Sequence, residues 1–425
     1  MPKEETDVAP KQDRTDRALH GTRVLDFGRI VAGPHCAQMM CAMGADVIKI
    51  ERPVHGDDAR SDPHVFEPGL SGAFMQQNWG KRSLSIDLRK AEAKEIIFKL
   101  VQQSDVVIEN FRPGVMARLG FSYEALSAIN PRLIMASVSA FGQTGPYADR
   151  LGYGPIAEAL AAIPELTGEH DGPPMPTMFP IADNMAAALA CTSICASLYW
   201  RDRSGVGQYI DMSLLDAVFQ GQDLAFEQYL GTGGKTQMRR RGLRDVTFVP
   251  WGFFEGRDGW VCIMCGNESM WEPLAKAMGR ADMVDDPRYK DFAARYENRA
   301  EVYRIVEEWV KSNSSVDTVV ELMDKAGVPC DRVNTVAQAV SHPQVLARGL
   351  VVERDHPTLG RMKVVNSGLN FSKTPADIYG HPPFLGEHNE EILTGLLGMD
   401  AEEVAKLTSS KLLYRDPRSD SVKRN

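Results

Sequence analysis

Residues 176–218 read PTMFPIADNMAAALACTSICASLYWRDRSGVGQYIDMSLLDAV. Pro176 and Pro180 punctuate chain of exposed character, and Asp183 stands where a helix is expected to begin. The segment from Asn184 to about Arg201 is rich in Ala, Ser, Thr and Cys, so other backbone can pack close against it. Ser204-Gly205-Val206-Gly207 is a C-cap and turn signal. The run from Gln208 to Leu215 then reads as a strand with period-2 character. Asp183 admits two readings. As an N-cap its carboxylate would satisfy an orphan N–H, worth about 1 kcal/mol. As a nucleophile it would use the partial positive charge of the helix end, which favours the ionised form, and the carboxylate is the form that attacks. Spacing alone favours the cap.

Working outward, Thr22–Phe27 is a short apolar strand, Gly28–Pro34 a loop, Cys36–Met43 an apolar helix ended by Gly44, and Asp46–Glu51 a second strand closed by Arg52-Pro53. This βαβ unit implies a parallel sheet. No GxGxxG follows the first strand, so a dinucleotide-binding reading lacks its fingerprint. Further strands are expected at Ser83–Leu88, Asp105–Glu109 and Arg132–Val138, with helices at Ala91–Gln103 and Tyr123–Ile129. The alternation gives the fold class: α/β, with a Rossmann-like, open, mainly parallel sheet. Ligands bind at the carboxyl ends of such strands, here around Arg29–Pro34, Arg52, Asn110–Gly114 and Gly142–Tyr153.

The pattern changes after Phe219. Residues 221–244 are linker-like, with Gly231-Thr-Gly-Gly and Arg239-Arg240-Arg241. Val246–Gly266 is strand-rich, and helices follow at Met270–Met278, Arg299–Ser312 and Val316–Ala326. A hairpin is expected over Val351–Val365 and helices over Glu390–Leu397 and Ala401–Leu407. The expected division is a disordered arm over 1–20, a large domain beginning with 21–220, a smaller α+β domain over 245–335 inserted into it, and a return to the large domain over 336–425.

Composition narrows the function. The chain has 425 residues, 43% hydrophobic and 25% charged, in the range of globular proteins. Its net charge of −9 argues against nucleic-acid partners. An anionic ligand would need local basic groups, which exist at Lys81-Arg82, Arg89-Lys90, Arg112, Arg118 and Arg239–Arg244. No run of about 20 apolar residues is evident, so no membrane span is expected, and the first twenty residues lack a secretory h-region. Seven Cys, mostly in apolar runs, suit reduced thiols and a cytoplasmic location. Cys262 and Cys265 have CxxC spacing without a second pair, and the nine His are not closely paired, so no metal site is expected.

Taken in order, the motifs are similar to those of the family III CoA-transferases, the formyl-CoA and carnitine CoA-transferase group, from about Gly21 to Leu407. They include Val24-Leu-Asp-Phe with Ala-Gly-Pro34, Gly44-Ala-Asp-Val-Ile-Lys-Ile-Glu-Arg-Pro53, Lys81-Arg-Ser83, Glu109-Asn-Phe-Arg-Pro-Gly114 and Arg118-Leu-Gly120. Asn130-Pro-Arg132, Ala182-Asp183, Gly205-Val-Gly-Gln208, Asp258-Gly-Trp260, Gly327-Val-Pro329 and Pro383-Phe-Leu-Gly-Glu-His388 follow. The resemblance implies that Asp183 is the nucleophilic aspartate and that acyl-CoA and a carboxylic acid are the substrates, with no cofactor beyond CoA. By the same matching, the backbone at Val31 and Ala32 meets CoA. Arg52, Arg89, Arg112 and Arg118 meet its phosphates or adenine, Ile86, Asn110 and Phe111 line the nucleotide, and Tyr153 lies beside the thioester. The resemblance also implies a homodimer with interlocked chains. Two departures leave the substrate open: Gly154 stands where an acidic residue is common, and the glycine-rich loops of formyl-CoA transferases are reduced at most to Gly266-Asn267. The alternative within the superfamily is a 2-methylacyl-CoA racemase. Those relatives use a His in the segment matching Leu151–Pro155, which here has none.

Overall fold

The computed structural model describes residues 16–245 and 247–422. Residues 1–15, most of the expected arm, lie outside that range. Asp16–His20 are not an arm: Leu19 N–H donates to Met43 O at 2.9 Å, and the Arg17 guanidinium donates to Pro375 O.

In chain order the strands are β1 (Arg23–Asp26), β2 (Asp46–Glu51), β3 (Val65–Glu67), β4 (Leu70–Ser71), β5 (Arg82–Ser85), β6 (Val106–Glu109), β7 (Ile134–Ser139) and β8 (Tyr209–Ser213). After them come β9 (Trp251–Glu255), β10 (Trp260–Met264), β11 (Cys330–Arg332), β12 (Val351–His356) and β13 (Gly360–Val365). The helices up to β8 are α1 (Ala32–Ala42), α2 (Gly72–Asn78), α3 (Ala91–Gln102), α4 (Val115–Leu119), α5 (Tyr123–Ile129), α6 (Gly154–Leu160), α7 (Ile163–Leu166) and α8 (Ile181–Ser204). The last that matters here, α9 (Leu214–Gln220), follows β8 directly.

Residues 16–161, 179–223 and 343–422 form one compact unit; 162–178 and 224–342 form the other. The first unit is built on a six-stranded sheet in the order β5-β2-β1-β6-β7-β8, with every pair parallel. A parallel sheet is covered on both faces, so its central strands carry buried apolar residues on both. Leu25, Ile48, Ile50, Leu84, Val107 and Met135 join one core with Ile96, Ile97 and Leu100 of α3 and Ile392 and Leu393 of the helix Asn389–Leu397. The alternate residues Val24, Val47, Val106, Ile108 and Ile134 are equally buried on the other face, where α1 packs on β1 and β6 and α8 packs on β7.

Helix α8 begins earlier than expected. Its N-cap is Pro180, with no side-chain cap, and Pro180 O accepts from Asn184 N at 3.1 Å. Proline has no N–H to orphan at a helix start, so the helix begins before Asp183, which becomes its third residue. By length and composition alone the helix could cross a membrane, although Asp183, Asn184 and Arg201 interrupt its apolar residues. Its apolar character serves a core instead: Ala182, Ala186, Ala187 and Ala190 are fully buried and let α8 seat against α1. Gly205, at φ 82°, caps the C-terminus in the left-handed region. Gly207 is glycine for space, because a Cβ there would lie 2.0 Å from Leu133 O.

The second unit has the antiparallel sheet β11-β10-β9 and a core in which Val261 and Ile263 meet Trp271, Leu274, Val302, Val306, Val319 and Met323. Fully buried Arg295 donates to Val249 O at 2.8 Å, Tyr289 O at 2.9 Å and Glu268 Oε2 at 2.7 Å. Part of the expected linker is the helix Asp223–Gly231.

Candidate active site

The loop from β1 into α1 is held from below by buried charges. Lys49 Nζ donates to Gly28 O at 2.9 Å and pairs with Asp57 at 2.9 Å. Asp57 Oδ1 in turn accepts from Ile30 N at 2.9 Å. Lys81 Nζ donates to Asp26 Oδ2 at 2.7 Å and to Pro34 O at 2.8 Å. The side chains of Asp26, Lys49, Asp57 and Lys81 are wholly buried. Buried charges persist only when paired and hydrogen-bonded, and here they fix a strained turn. Ile30 has φ 67°, a left-handed conformation that a β-branched residue adopts only under constraint. Asn110 completes the clamp: its Oδ1 accepts from Arg29 N at 2.7 Å and its Nδ2 donates to Arg29 O at 2.9 Å.

Beside this loop lies a cleft of about 700 Å³, at the carboxyl ends of β1, β2 and β5. Phe27, Ile50, Ile86, Leu88, Phe111 and Leu119 are its apolar lining; Arg29, Arg52, Arg89 and Lys411 are its cations. That combination suits a ligand with a flat apolar part and several negative charges.

The structure brings four of the expected contacts, Arg52, Ile86, Arg89 and Phe111, to this cleft. Arg52 pairs with Asp58 and donates to Gly56 O at 3.0 Å. Arg89 is 83% exposed and held by Asp87 at 2.8 Å. Asn110 sits behind the loop rather than on the lining. Val31 is the N-cap of α1 and Ala32 its buried first residue, four residues before the expected start at Cys36 and inside the expected loop Gly28–Pro34. Arg112 and Arg118 are exposed and have no ion pair among the described residues; neither lines the cleft.

Two of the cleft's cations are not assigned by the sequence reading. Lys411 arrives from the far end of the chain, with no local signal. Arg29 lay inside the first βα loop, where ligands are expected, and its position was the available signal. Its Nε is buried without a hydrogen-bond partner among the described residues. Burial first, then the charge of Arg52, pulls its pKa down, while Asp57 and Tyr153 act in the opposite sense. Tyr153 is thus within electrostatic reach of the cleft.

Tyr153, 70% exposed, is the N-cap of α6. The next residue explains itself sterically. A Cβ on Gly154 would lie 2.3 Å from Asp183 Oδ2, so the carboxylate occupies the space that a side chain at 154 would take. One turn on, Glu158 is buried, at 3% exposure, and its Oε1 accepts from Ala182 N at 3.3 Å. Asp183 is pushed up to about 6, chiefly by burial and then by the charge of Glu158, against the opposing pull of its own N–H. The net shift runs against the pull of the helix end, which favours the ionised form. The helix contributes in the expected direction but is outweighed. At pH 7 a group titrating near 6 is still about nine-tenths carboxylate.

Comparison with known proteins places this arrangement. Residues 19–389 match the profile of CoA-transferase family III. The succinyl-CoA–D-citramalate CoA-transferase of Chloroflexus aurantiacus is 35% identical over 401 residues, covering 94% of this chain and 99% of that one. The formyl-CoA:oxalate CoA-transferase of Streptomyces coelicolor is 32% identical over 413 residues, covering 94% and 100%. Among solved structures, a CAIB/BAIF family protein from Brucella suis superposes with a TM-score of 0.80 at 35% identity, over 89% of this chain and 99% of that one. The chain belongs to CoA-transferase family III, and it is an enzyme with a mixed α/β fold and a mainly parallel central sheet.

Proposed function

We propose that the enzyme moves CoA from an acyl-CoA to a free carboxylic acid through covalent intermediates on Asp183. The observation that carries this reading is a half-buried, mostly ionised carboxylate in a space that glycine at 154 keeps open. Asp183 attacks the acyl carbonyl carbon; the C–S bond breaks and its electron pair leaves on the CoA sulfur. The thiolate then attacks the aspartyl carbonyl of the mixed anhydride, releasing the donor acid and leaving an aspartyl-CoA thioester. The acceptor carboxylate attacks that thioester, expelling CoA thiolate and forming a second anhydride; the thiolate then attacks the new acyl carbon, giving the acceptor's CoA thioester and freeing the Asp183 carboxylate. Each displacement is easier than direct exchange.

The CoA moiety is assigned to the cleft, with Arg29, Arg52 and Arg89 toward its phosphates, and Ile86 and Phe111 against its adenine. Backbone at Val31 and Ala32 lies toward the pantetheine, and Tyr153 beside the thioester. Arg112 and Arg118 are assigned as outer phosphate contacts. Arg118→Ala should weaken acyl-CoA binding by about 1.5–3 kcal/mol, the range of a charge-assisted hydrogen bond, without loss of folding stability; calorimetry giving unchanged affinity would move the nucleotide elsewhere.

A homodimer is part of the proposal. Tyr199 is 68% exposed and Trp200 and Phe219 are each 52% exposed, on α8 and α9, where a second copy would cover them. Relatives in Chloroflexus aurantiacus are named as alpha and beta subunits of a succinyl-CoA–L-malate CoA-transferase, so a second, similar chain is the competing partner. Seven free cysteines fit a cytoplasmic location.

The test is a panel pairing succinyl-CoA, formyl-CoA and a chiral 2-methylacyl-CoA with citramalate, malate, glutarate and oxalate in D₂O, read by product mass. Transfer yields the acceptor's thioester with no deuterium at the α-carbon. Deuterium exchange without transfer would mark a racemase, which must break that C–H bond, and free acid plus free CoA alone would mark a hydrolase.

A further inference from the structure

Helix α8 lacks a cap of its own, because Pro180 has no side-chain donor or acceptor to offer. The cap comes from α6: Glu158 Oε1 accepts from Ala182 N at 3.3 Å, and Ala182 is the second residue of α8, immediately before Asp183. Two carboxylates therefore share one helix end, Glu158 buried and Asp183 half-buried. We propose that Glu158 is a positioning residue for the nucleophile, holding the first turn of α8 in place while its charge disfavours a second free carboxylate there. The proposal rests on the reading of Asp183 as the nucleophile.

The consequence follows from where charge goes during transfer. When Asp183 Oδ bonds to the acyl carbon, the C–S electron pair leaves on the CoA sulfur. The negative charge moves from Asp183, next to Glu158, to the thiolate, and the acylated aspartate is neutral. Every covalent state in the cycle relieves the repulsion and every return to free Asp183 restores it. Glu158 therefore raises the free carboxylate toward the covalent states, and it makes that carboxylate more basic and a better nucleophile. Among the described residues no other charge does this. The elements packed on α8 carry further titratable groups: His35, Cys36 and Cys41 on α1, Tyr209 and Asp211 on β8, and Asp216 on α9. None of these shifts Asp183, whereas Glu158 does.

Glu158→Gln keeps the shape and an oxygen for Ala182 N–H but removes the charge. In wild type, the acid limb of kcat/KM should fall near the pH at which free Asp183 titrates, about 6. In the variant it should move down by about one pH unit, the scale of a neighbouring like charge. At pH 8, kcat should drop about three- to tenfold, with KM for acyl-CoA within twofold. A purely structural role would change stability and leave the limb where it was. Should Glu158→Gln not fold, Glu158→Asp draws the charge back by one methylene and should move the limb down by less. A limb at the wild-type pH in the folded variant overturns the proposal. Quenched reactions analysed by peptide mass separate the two readings. An acyl or CoA adduct on Asp183 in wild type, with an unshifted limb in the variant, overturns Glu158 alone; absence of any adduct in an actively transferring wild type overturns Asp183 and Glu158 together.

Discussion

Asp183→Ala is expected to lower kcat by about 10⁴-fold or more, the scale seen when a covalent nucleophile or its partner is removed. The loss should come without unfolding. A cap at this position would have cost about 1 kcal/mol on removal, but the cap is Pro180, so that loss does not arise. Stability should instead move the other way, most cleanly in Asp183→Asn, which keeps the shape. The folded-state pKa, about 6, is above the ordinary 3.8, so ionising Asp183 penalises the folded state. Below about pH 4 both states hold the proton and the penalty is absent; it grows between 4 and 6 and is complete above. At about 1.4 kcal/mol per unit, the Asn variant should be about 2–3 kcal/mol more stable than wild type at pH 7.5, with the gap closing as pH falls toward 4. Thermal midpoints at pH 7.5 and 4.5 measure it. A variant no more stable at the higher pH than at the lower would mean that Asp183 is not held in the environment described.

Gly154→Ala is expected to cost about 100-fold in kcat while binding acyl-CoA within twofold of wild type. The added Cβ would lie 2.3 Å from Asp183 Oδ2, closer than carbon and oxygen tolerate. The alanine backbone is not strained, since Gly154 is not in the left-handed region and alanine is the better helix former by about 1 kcal/mol. The carboxylate must therefore move, and a displacement of about 1 Å in a reacting group is worth about two orders of magnitude. Stopped-flow turnover with calorimetric affinity separates the two effects. Activity within threefold of wild type would show that the carboxylate reacts from another position.

How much of this was legible in the sequence depended on whether the cause was local. Asp46–Glu51, the hairpin Val351–Val365 and the helices Arg299–Ser312 and Val316–Ala326 agree with their observed bounds, because apolar periodicity and turn residues mark them within the chain itself. The start of α8 was misjudged because an aspartate before an alanine-rich run resembles a cap, whereas the competing signal, Pro180, is a single residue three positions earlier. The start of α1 was placed too late for a related reason: Ala32-Gly33-Pro34 carries loop-forming residues that also fit a first helical turn. Glycine-rich composition likewise concealed the helix Asp223–Gly231. In the candidate site, the motif points to Asp183, but nothing local to it signals that its pKa is raised. The cause is tertiary: Glu158 is 25 positions away in sequence and acts only because α6 packs on α8. Asn110 was expected to line the nucleotide, and its hydrogen bonds to Arg29 commit it to holding the loop.

The central claim is that Asp183 exchanges an oxygen with the acids it serves. In the acceptor half-reaction, the acceptor oxygen bridges the second anhydride and stays on the aspartate when CoA attacks the new acyl carbon. Turnover with an acceptor acid carrying ¹⁸O in its carboxylate, followed by peptide mass analysis, should therefore find ¹⁸O in the Asp183 side chain of the wild-type enzyme, with ¹⁶O alone in enzyme incubated without acyl-CoA. Robust formation of the acceptor's CoA thioester with no ¹⁸O on Asp183 would contradict the account.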